Sequence, residues 1–273
     1  MIINYDLPGQ LCNRIWSLIP SIAYGLEYKE KVMVINLDKY VGDFENLNSN
    51  SLIKFTSRKR IKRMLISLKA RGYIQNGKSN ILRKLFNLNF VEGWSNRLGN
   101  AEMVERQSDD IREIFTFKCD ITNPVDKFFA NQNEYSVVGV HIRRGDYKDW
   151  LKGIYYYTDD EYICILNSIE EQLKMEGKKV RFLLCSNEKV NLDNYKHLDC
   201  FIIPNASGSQ DLYALSKCDY IIGPPSSYSQ WASFLGKVPV KFIMYSNEKI
   251  DLSDFSKIIS FNTFENRKNL NID

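Results

Sequence analysis

Arg143 and Arg144 stand side by side at the end of an apolar run, Val137-Val138-Gly139-Val140-His141-Ile142, and are followed by Gly145-Asp146-Tyr147. A buried strand has no place for two guanidiniums, because stripping water from an unpaired cation costs several kcal/mol. The carboxyl end of a parallel strand does, since ligands of α/β sheets bind in the crevice there. Two planar, always-charged forks at such a point suit a phosphate or diphosphate. The plainer alternative is a surface turn in which an arginine pairs with Asp146. A second donor-rich turn is Gly223-Pro224-Pro225-Ser226-Ser227-Tyr228-Ser229. There an apolar run stops, and serine hydroxyls with backbone N–H groups at a helix start offer an anion site, whether or not Ser226 or Ser227 also caps the helix. The third is Gly9-Gln10-Leu11-Cys12-Asn13-Arg14. Its glycine lets backbone approach a ligand, and Asn13 and Arg14 supply donors in a first helical turn. It is not a GxGxxG pattern, and taken alone it reads as a structural turn. Ser186-Asn187-Glu188 ends a further apolar run, and Asp211 opens a helical stretch, where capping would also account for it. His141 and His197 are the only histidines, and no Cys/His/Asp cluster has ligand spacing, so no protein-built metal site is expected.

These turns need strands and helices to hold them. The chain opens with a strand at Ile2–Tyr5, a Pro8-Gly9 turn, a helix from Leu11 to Tyr28 and a second strand at Val32–Asn36, a βαβ start. Ile61, Met64, Leu65 and Leu68 recur at helix spacing with Lys and Arg opposite, so 46–90 is read as a largely helical insertion. A helical stretch from Ala101 to Phe129 completes the first half. In the second half, apolar runs at Val137–Ile142, Val180–Cys185, Cys200–Pro204, Tyr220–Gly223 and Val240–Tyr245 alternate with helical patterns at Asp159–Met175, Gln210–Cys218 and Tyr228–Leu235. That rhythm predicts a parallel, doubly wound sheet. Its carboxyl-end crevice would collect His141–Asp146, Ser186–Glu188, Pro204-Asn205 and Gly223–Tyr228. Two α/β domains are expected, 1–133 carrying the basic insertion 46–91, and 134–273, joined near Asn131–Tyr135.

At 273 residues, 44% apolar and 26% charged, the chain can bury two cores and is not disordered. Its formal charge of +4 is unevenly spread. Between Asn46 and Val91 there are eleven Lys and Arg and no acid, which leaves the remainder at a net −7. The basic helix around Arg58–Arg71 is either a solvated face or, read more sharply, a peripheral contact with anionic lipid through 54–71. It lacks interleaved aromatics, so no nucleic-acid partner is expected. The six cysteines form no CxxC pair and sit mostly in apolar runs, which favours a reducing compartment. Neither a signal peptide nor a membrane-spanning stretch is legible, so the expected location is cytoplasmic, at most peripheral to the inner face of a membrane.

His141-Ile142-Arg143-Arg144-Gly145-Asp146-Tyr147 resembles the HxRRxD motif of the α-1,2-fucosyltransferase family, shared more loosely with α-1,6- and protein O-fucosyltransferases. Gly9-Gln10-Leu11-Cys12-Asn13-Arg14 is similar to that family's amino-terminal glycine–asparagine turn, usually GLGNQ. Asp211-Leu212-Tyr213-Ala214-Leu215-Ser216-Lys217-Cys218-Asp219, followed by Ser226-Ser227-Tyr228-Ser229-Gln230-Trp231-Ala232, is similar to its DLxLMSxCxH…NSTFSWWxA segment. The three keep order and spacing from Gly9 to Trp231. This sequence departs from the pattern at Gln10-Leu11-Cys12, at Arg14, at Pro224-Pro225, at Gln230, and at Ser186-Asn187-Glu188, where Ser-Asp-Asp is frequent.

The resemblance implies an α/β fold of the GT-B-like type, two Rossmann-like domains facing a central cleft, with an amino-terminal acceptor side and a carboxyl-terminal donor side. It implies inverting transfer of fucose from GDP-fucose to a sugar hydroxyl of an oligosaccharide or lipid-linked glycan, α-1,2-linked to galactose or a similar sugar, in surface-glycan synthesis. No cofactor and no metal are implied. Arg143 and Arg144 would then stabilise the leaving diphosphate, one of them held by Asp146. Gly9, Asn13, His141, Asn187, Asp211, Ser226, Ser227 and Ser229 would line the donor site, His141 orienting the arginine loop. Inversion needs a base, for which Asp146, Asp149 and Glu188 are available. Asp146 is preferred because it travels with the motif. The competing readings are another nucleotide-sugar transferase on this scaffold and a non-catalytic nucleotide- or glycan-binding module.

Overall fold

The computed structural model describes residues 1–5, 8–35, 37, 39–56, 59–71, 87–95 and 98–266, and it divides into two α/β units. The first comprises 1–118 with 259–261. Its elements are β1 (Ile2–Asn4), α1 (Leu11–Glu27), β2 (Val32–Val34), β3 (Ile53–Phe55), α2 (Lys59–Ala70), β4 (Asn89–Val91), α3 (Ala101–Arg106) and α4 (Ser108–Ile114). The four strands are parallel, in the order β3-β2-β1-β4. α1 buries Ile15, Trp16, Leu18, Ile19, Ile22 and Ala23. Side chains of this size contribute about 1.5–3 kcal/mol each on full burial. α2 sets Leu65, with Ile61 and Leu68, on a cluster of Ile3, Tyr5, Ile35 and Phe90.

The expected helical insertion at 46–91 is a different object. Two of the four strands, β3 and β4, come from it, and its described helix is α2 alone. The signal for β3 was the alternation Ile53 in, Lys54 out, Phe55 in, a period of two that the longer helical pattern masks. Arg58 and 72–86, which hold Lys78, Arg83 and Lys84, lie outside the described residues, as does Asn36 at the end of the expected second strand.

The second unit comprises 119–258 and continues from 262. It contains α5 (Cys119–Phe129), β5 (Tyr135–Ile142), α6 (Asp159–Met175), β6 (Lys179–Ser186), β7 (Cys200–Phe201), α7 (Gly208–Leu215), β8 (Tyr220–Gly223), α8 (Ser227–Gly236) and β9 (Val240–Phe242). A short pair of strands, β10 (Ile258–Ser260) and β11 (Thr263–Phe264), follows. The five-stranded sheet is parallel, ordered β7-β6-β5-β8-β9. The unit begins at Cys119, fifteen residues before the expected 134, because α5 packs on α7, where the Tyr213 hydroxyl donates to Asp126 at 3.1 Å and Lys217 pairs with Asp126 at 3.3 Å. The single helix expected over 101–129 is three, broken after Phe115 where Phe117 bridges to Phe44. β7 and β9 are shorter than the apolar runs that contain them, as strands with a sheet neighbour on one side often are.

β5 is the central strand, and Val138, Val140 and Ile142 pack with Phe182, Leu184 and one face of α6. α6 starts cleanly because Thr158 and Glu161 form a reciprocal capping box, and it buries Tyr162, Ile165, Leu166, Ile169 and Leu173. From β5 the chain runs outward to β7, then returns to β8 and continues to β9. The strand order therefore reverses between β5 and β8. Ligands of open α/β sheets bind at such a switch point, outside the carboxyl ends of the strands.

Candidate functional site

Both strands at the switch point end in the residues singled out above. β8 stops at Gly223, and a Cβ there would lie 2.4 Å from the carbonyl oxygen of His141. Only glycine lets the two strand ends come this close. His141 is buried at the end of β5. It shares a 2.7 Å hydrogen bond through Nδ1 with Ser229 Oγ, and its ring lies 4.9 Å from that of Tyr228. Burial, with Arg143 nearby, pushes its pKa down to about 3, so the imidazole is neutral at physiological pH. Ser226 caps α8 by accepting from the backbone N–H of Tyr228 at 3.2 Å, Ser227 is the first helical residue, and the Tyr228 hydroxyl donates to the carbonyl of Gly208 at 2.6 Å. The start of α7 is thereby tied to the same place.

The two arginines have different partners. Arg143 pairs with Asp146 at 2.8 Å, and that carboxylate is 62% exposed. Arg144 pairs with Asp159 at the start of α6. Asp159 also accepts from the Tyr195 hydroxyl and from Asn194, each at 2.6 Å. Burial pushes the Asp159 pKa up, yet the bonds from Tyr195, Asn194 and Arg144 hold it below the ordinary range. Asn187 fixes the Arg144 backbone from both sides, accepting from its N–H at 2.8 Å and donating to its carbonyl at 3.3 Å. The Arg144 Nε is buried without a hydrogen-bond partner. The Tyr147 hydroxyl donates to the carbonyl of Pro225 at 2.6 Å, which joins the arginine loop to the serine turn. Asp159, Asn194 and Tyr195 escaped sequence reasoning. Asp159 reads there as one of three acids in a helix's first turn, and no local signal marks which of them faces an arginine.

Asp211 is on α7 but does not cap it; Ser207 does, in a capping box with Gln210. Its carboxyl is pushed up to about 7 by burial, against a lowering hydrogen bond with Cys185 at the end of β6. Glu188 lies beside the loop, its Oε1 being 3.5 Å from where a Cβ on Gly145 would be. Asp149 is exposed on the turn that follows. So His141, Arg143, Arg144, Asp146, Asn187, Asp211, Ser226, Ser227 and Ser229 all belong to the carboxyl-end loops and helix starts of one sheet.

The glycine–asparagine turn belongs to the first unit, after β1 and at the start of α1. Gly9 has φ +52°, and a Cβ there would meet Asn13 Nδ2 at 2.5 Å. Arg14 Nε donates to the Gly9 carbonyl at 3.1 Å, and its guanidinium lies 5.3 Å from the Tyr40 ring. α1 has no side-chain cap, so its first N–H groups keep their donor capacity. Among the described residues no group of three His, Cys, Asp or Glu side chains could hold a metal ion. No described helix is long and apolar enough to cross a membrane.

Comparison with known proteins sets this geometry in a family. Nodulation protein Z of Bradyrhizobium diazoefficiens is 27% identical over 179 residues, 54% of this chain and 46% of that protein, so the match spans under half the length of that relative. Among solved structures, NodZ α-1,6-fucosyltransferase soaked with GDP-fucose superposes with a TM-score of 0.56 at 17% identity, over 93% of this chain and 96% of that one. POFUT1 in complex with GDP-fucose does so at 0.57 and 12% identity, over 89% and 97%. A point mutant of Arabidopsis thaliana FUT1 in complex with GDP gives 0.59 at 11% identity, over 94% and 73%. At such identities these likenesses establish the fold, which is α/β and GT-B-like. The family model described as Glycosyl transferase family 11 matches residues 98–257, more than half of the chain and the whole of the arginine and serine turns, and the protein belongs to that family.

Proposed function

We propose that the protein is an inverting fucosyltransferase that moves fucose from GDP-fucose to a sugar hydroxyl, in an α-1,2 linkage to galactose or a similar residue of a surface glycan. The observation that carries this reading is the arginine pair at the switch point, joined through Tyr147 to the capped start of α8. The second unit takes the donor, and the first carries part of the acceptor side, where Gly9 and Asn13 offer donors of their own. Arg143 grips the diphosphate, since its present partner is an exposed carboxylate that solvent and ligand can replace. Arg144, locked by Asp159 and Asn187, holds the loop in shape. Ser226, Ser227 and Ser229 offer hydroxyl or N–H groups, and neutral His141 keeps the loop seated against α8. Asp211 suits guanine, whose N1–H and amino group are paired donors for a carboxylate. The relatives crystallised with GDP or GDP-fucose support that nucleotide.

In the transfer, the acceptor oxygen attacks the anomeric carbon as its bond to the β-phosphate breaks. GDP leaves with the electron pair, and the acceptor proton passes to a carboxylate. Asp146 becomes available for that proton when Arg143 turns to the diphosphate. No metal is assigned a part; the cationic donors neutralise the developing charge.

Titration with GDP and UDP, followed by turnover of GDP-fucose, tests the reading. GDP raises the melting temperature and UDP does not, and Arg143→Lys, which keeps charge but loses the planar fork, slows turnover of GDP-fucose about 10²–10³-fold. An equal response to UDP would favour another nucleotide sugar. Binding of GDP with no turnover on any acceptor would leave a binding module. Wild-type turnover in Arg143→Lys would sink the diphosphate assignment.

A further inference from the structure

We infer that the loop from Trp150 to Tyr156 is a stacking platform for a pyranose ring of the acceptor glycan. This rests on the donor reading above and assigns a second ligand position beside it.

Among the described residues twelve large apolar side chains are exposed, and four of them fall in these seven positions: Trp150 at 39%, Leu151 at 41%, Ile154 at 56% and Tyr156 at 37%. They are not left out by a slack chain. Leu151 and Lys152 adopt φ +48° and +61°, a left-handed conformation that is costly for residues bearing a Cβ, and Gly153 follows at +77°. The Asp149 carbonyl accepts from Lys152 N–H at 3.2 Å, and the Gly153 carbonyl accepts from Tyr156 N–H at 3.0 Å. Beyond the loop, Tyr157 is buried and its hydroxyl donates to the Ile243 carbonyl at 2.9 Å. The backbone is thus held in an unfavourable turn whose result is the display of aromatic and aliphatic surface.

That surface is one ring away from the arginine assigned to the diphosphate. The Trp150 ring lies 4.6 Å from Tyr147 and 5.6 Å from Tyr155, both buried, so the indole is backed by a fixed aromatic stack. The Arg143 guanidinium lies 5.5 Å from the same Tyr147 ring. Sugars are amphipathic in a way that matches this patch. One face of a pyranose is a set of C–H groups that pack on an indole or phenol, while its hydroxyls need polar partners at the rim. Lys148, Asp149 and Lys152, interleaved with these residues and exposed, offer charged groups for such hydroxyls. A patch of one or two rings with a charged border fits a sugar better than a folded partner, whose interface needs many more residues.

The test uses the full chain loaded with GDP on an array of neutral oligosaccharides, together with a GDP titration of each variant. Wild type binds a subset of the glycans. Trp150→Ala and Tyr156→Ala weaken that binding about tenfold while GDP affinity stays at the wild-type value, and Trp150→Phe recovers most of the loss. Unchanged glycan binding in Trp150→Ala overturns the platform, as does a parallel fall in GDP affinity or the absence of any bound glycan with wild type. Failure of wild type to bind GDP overturns the donor reading instead.

Discussion

At the scale of single residues, the site works by assigning near-identical groups to different partners. Arg143 and Arg144 are neighbours in sequence, yet one is paired on the surface and the other is held by a carboxylate that already accepts two further hydrogen bonds. The same logic separates the carboxylates. Asp159 is kept ionised, whereas Asp211 is pushed up to about 7 by burial from an ordinary value of 3.8. A folded-state pKa above the unfolded one means that the folded chain binds the extra proton between those two values. The associated stability is present below about 3.8 and is lost as pH rises through about 7. Asp211→Asn, which cannot ionise, escapes that loss. Its melting temperature relative to wild type is expected to climb from pH 5 to pH 8, as calorimetry of both proteins across that range would show. A difference that stays flat with pH would mean that Asp211 is an ordinary carboxylate.

At the scale of elements, the close meeting of β5 and β8 is what brings the arginine and serine turns together. Gly223→Ala would place a methyl 2.4 Å from the His141 carbonyl oxygen, a backbone atom of the central strand that no rotamer change can move. Relief requires β8 to part from β5, at about 1–3 kcal/mol or more. The expected outcome is a melting temperature several degrees lower and weaker GDP binding, while Gly42→Ala, with nothing within 4 Å, changes neither. Wild-type GDP affinity in Gly223→Ala would show that this approach does not shape the site. The two strands were legible from their continuous apolar runs, and so were the turns that end them. The partner of Arg144 was not, because Asp159 reaches it from another segment and is itself held by Tyr195 from a third, and such convergence has no period in the sequence. Nor were β3 and β4 legible: three-residue strands give little alternation to read, and a long basic helical pattern lies between them. Asp211 was read near a helix start, where capping was one account of it; Ser207 fills that role, two residues after Asn205 turns the chain through a positive φ.

At the scale of the whole molecule, charge is segregated: eleven cations without an acid between Asn46 and Val91, and a net −7 elsewhere. On α2 the apolar stripe of Ile61, Leu65 and Leu68 is used against the sheet, whereas Arg60, Arg63 and Arg71 are exposed and make no ion pair among the described residues. Met64 and Ile66 are exposed among them, at 53% and 48%. A solvated face has no need of those two. Cations that attract a negative surface, with apolar side chains that enter its headgroup layer, are the composition of an interfacial helix. We therefore propose peripheral contact with anionic membrane through this helix, on a protein whose glycan acceptor could be lipid-linked. Each surface cation contributes about 1 kcal/mol near such a leaflet, so neutralising three should weaken binding by roughly two orders of magnitude. Wild type is expected to sediment with phosphatidylglycerol vesicles at low salt and to be released as salt shortens the range of attraction. The triple variant Arg60→Gln, Arg63→Gln, Arg71→Gln should stay in the supernatant with its GDP response intact. Equal sedimentation of variant and wild type would reduce the helix to a solvated face.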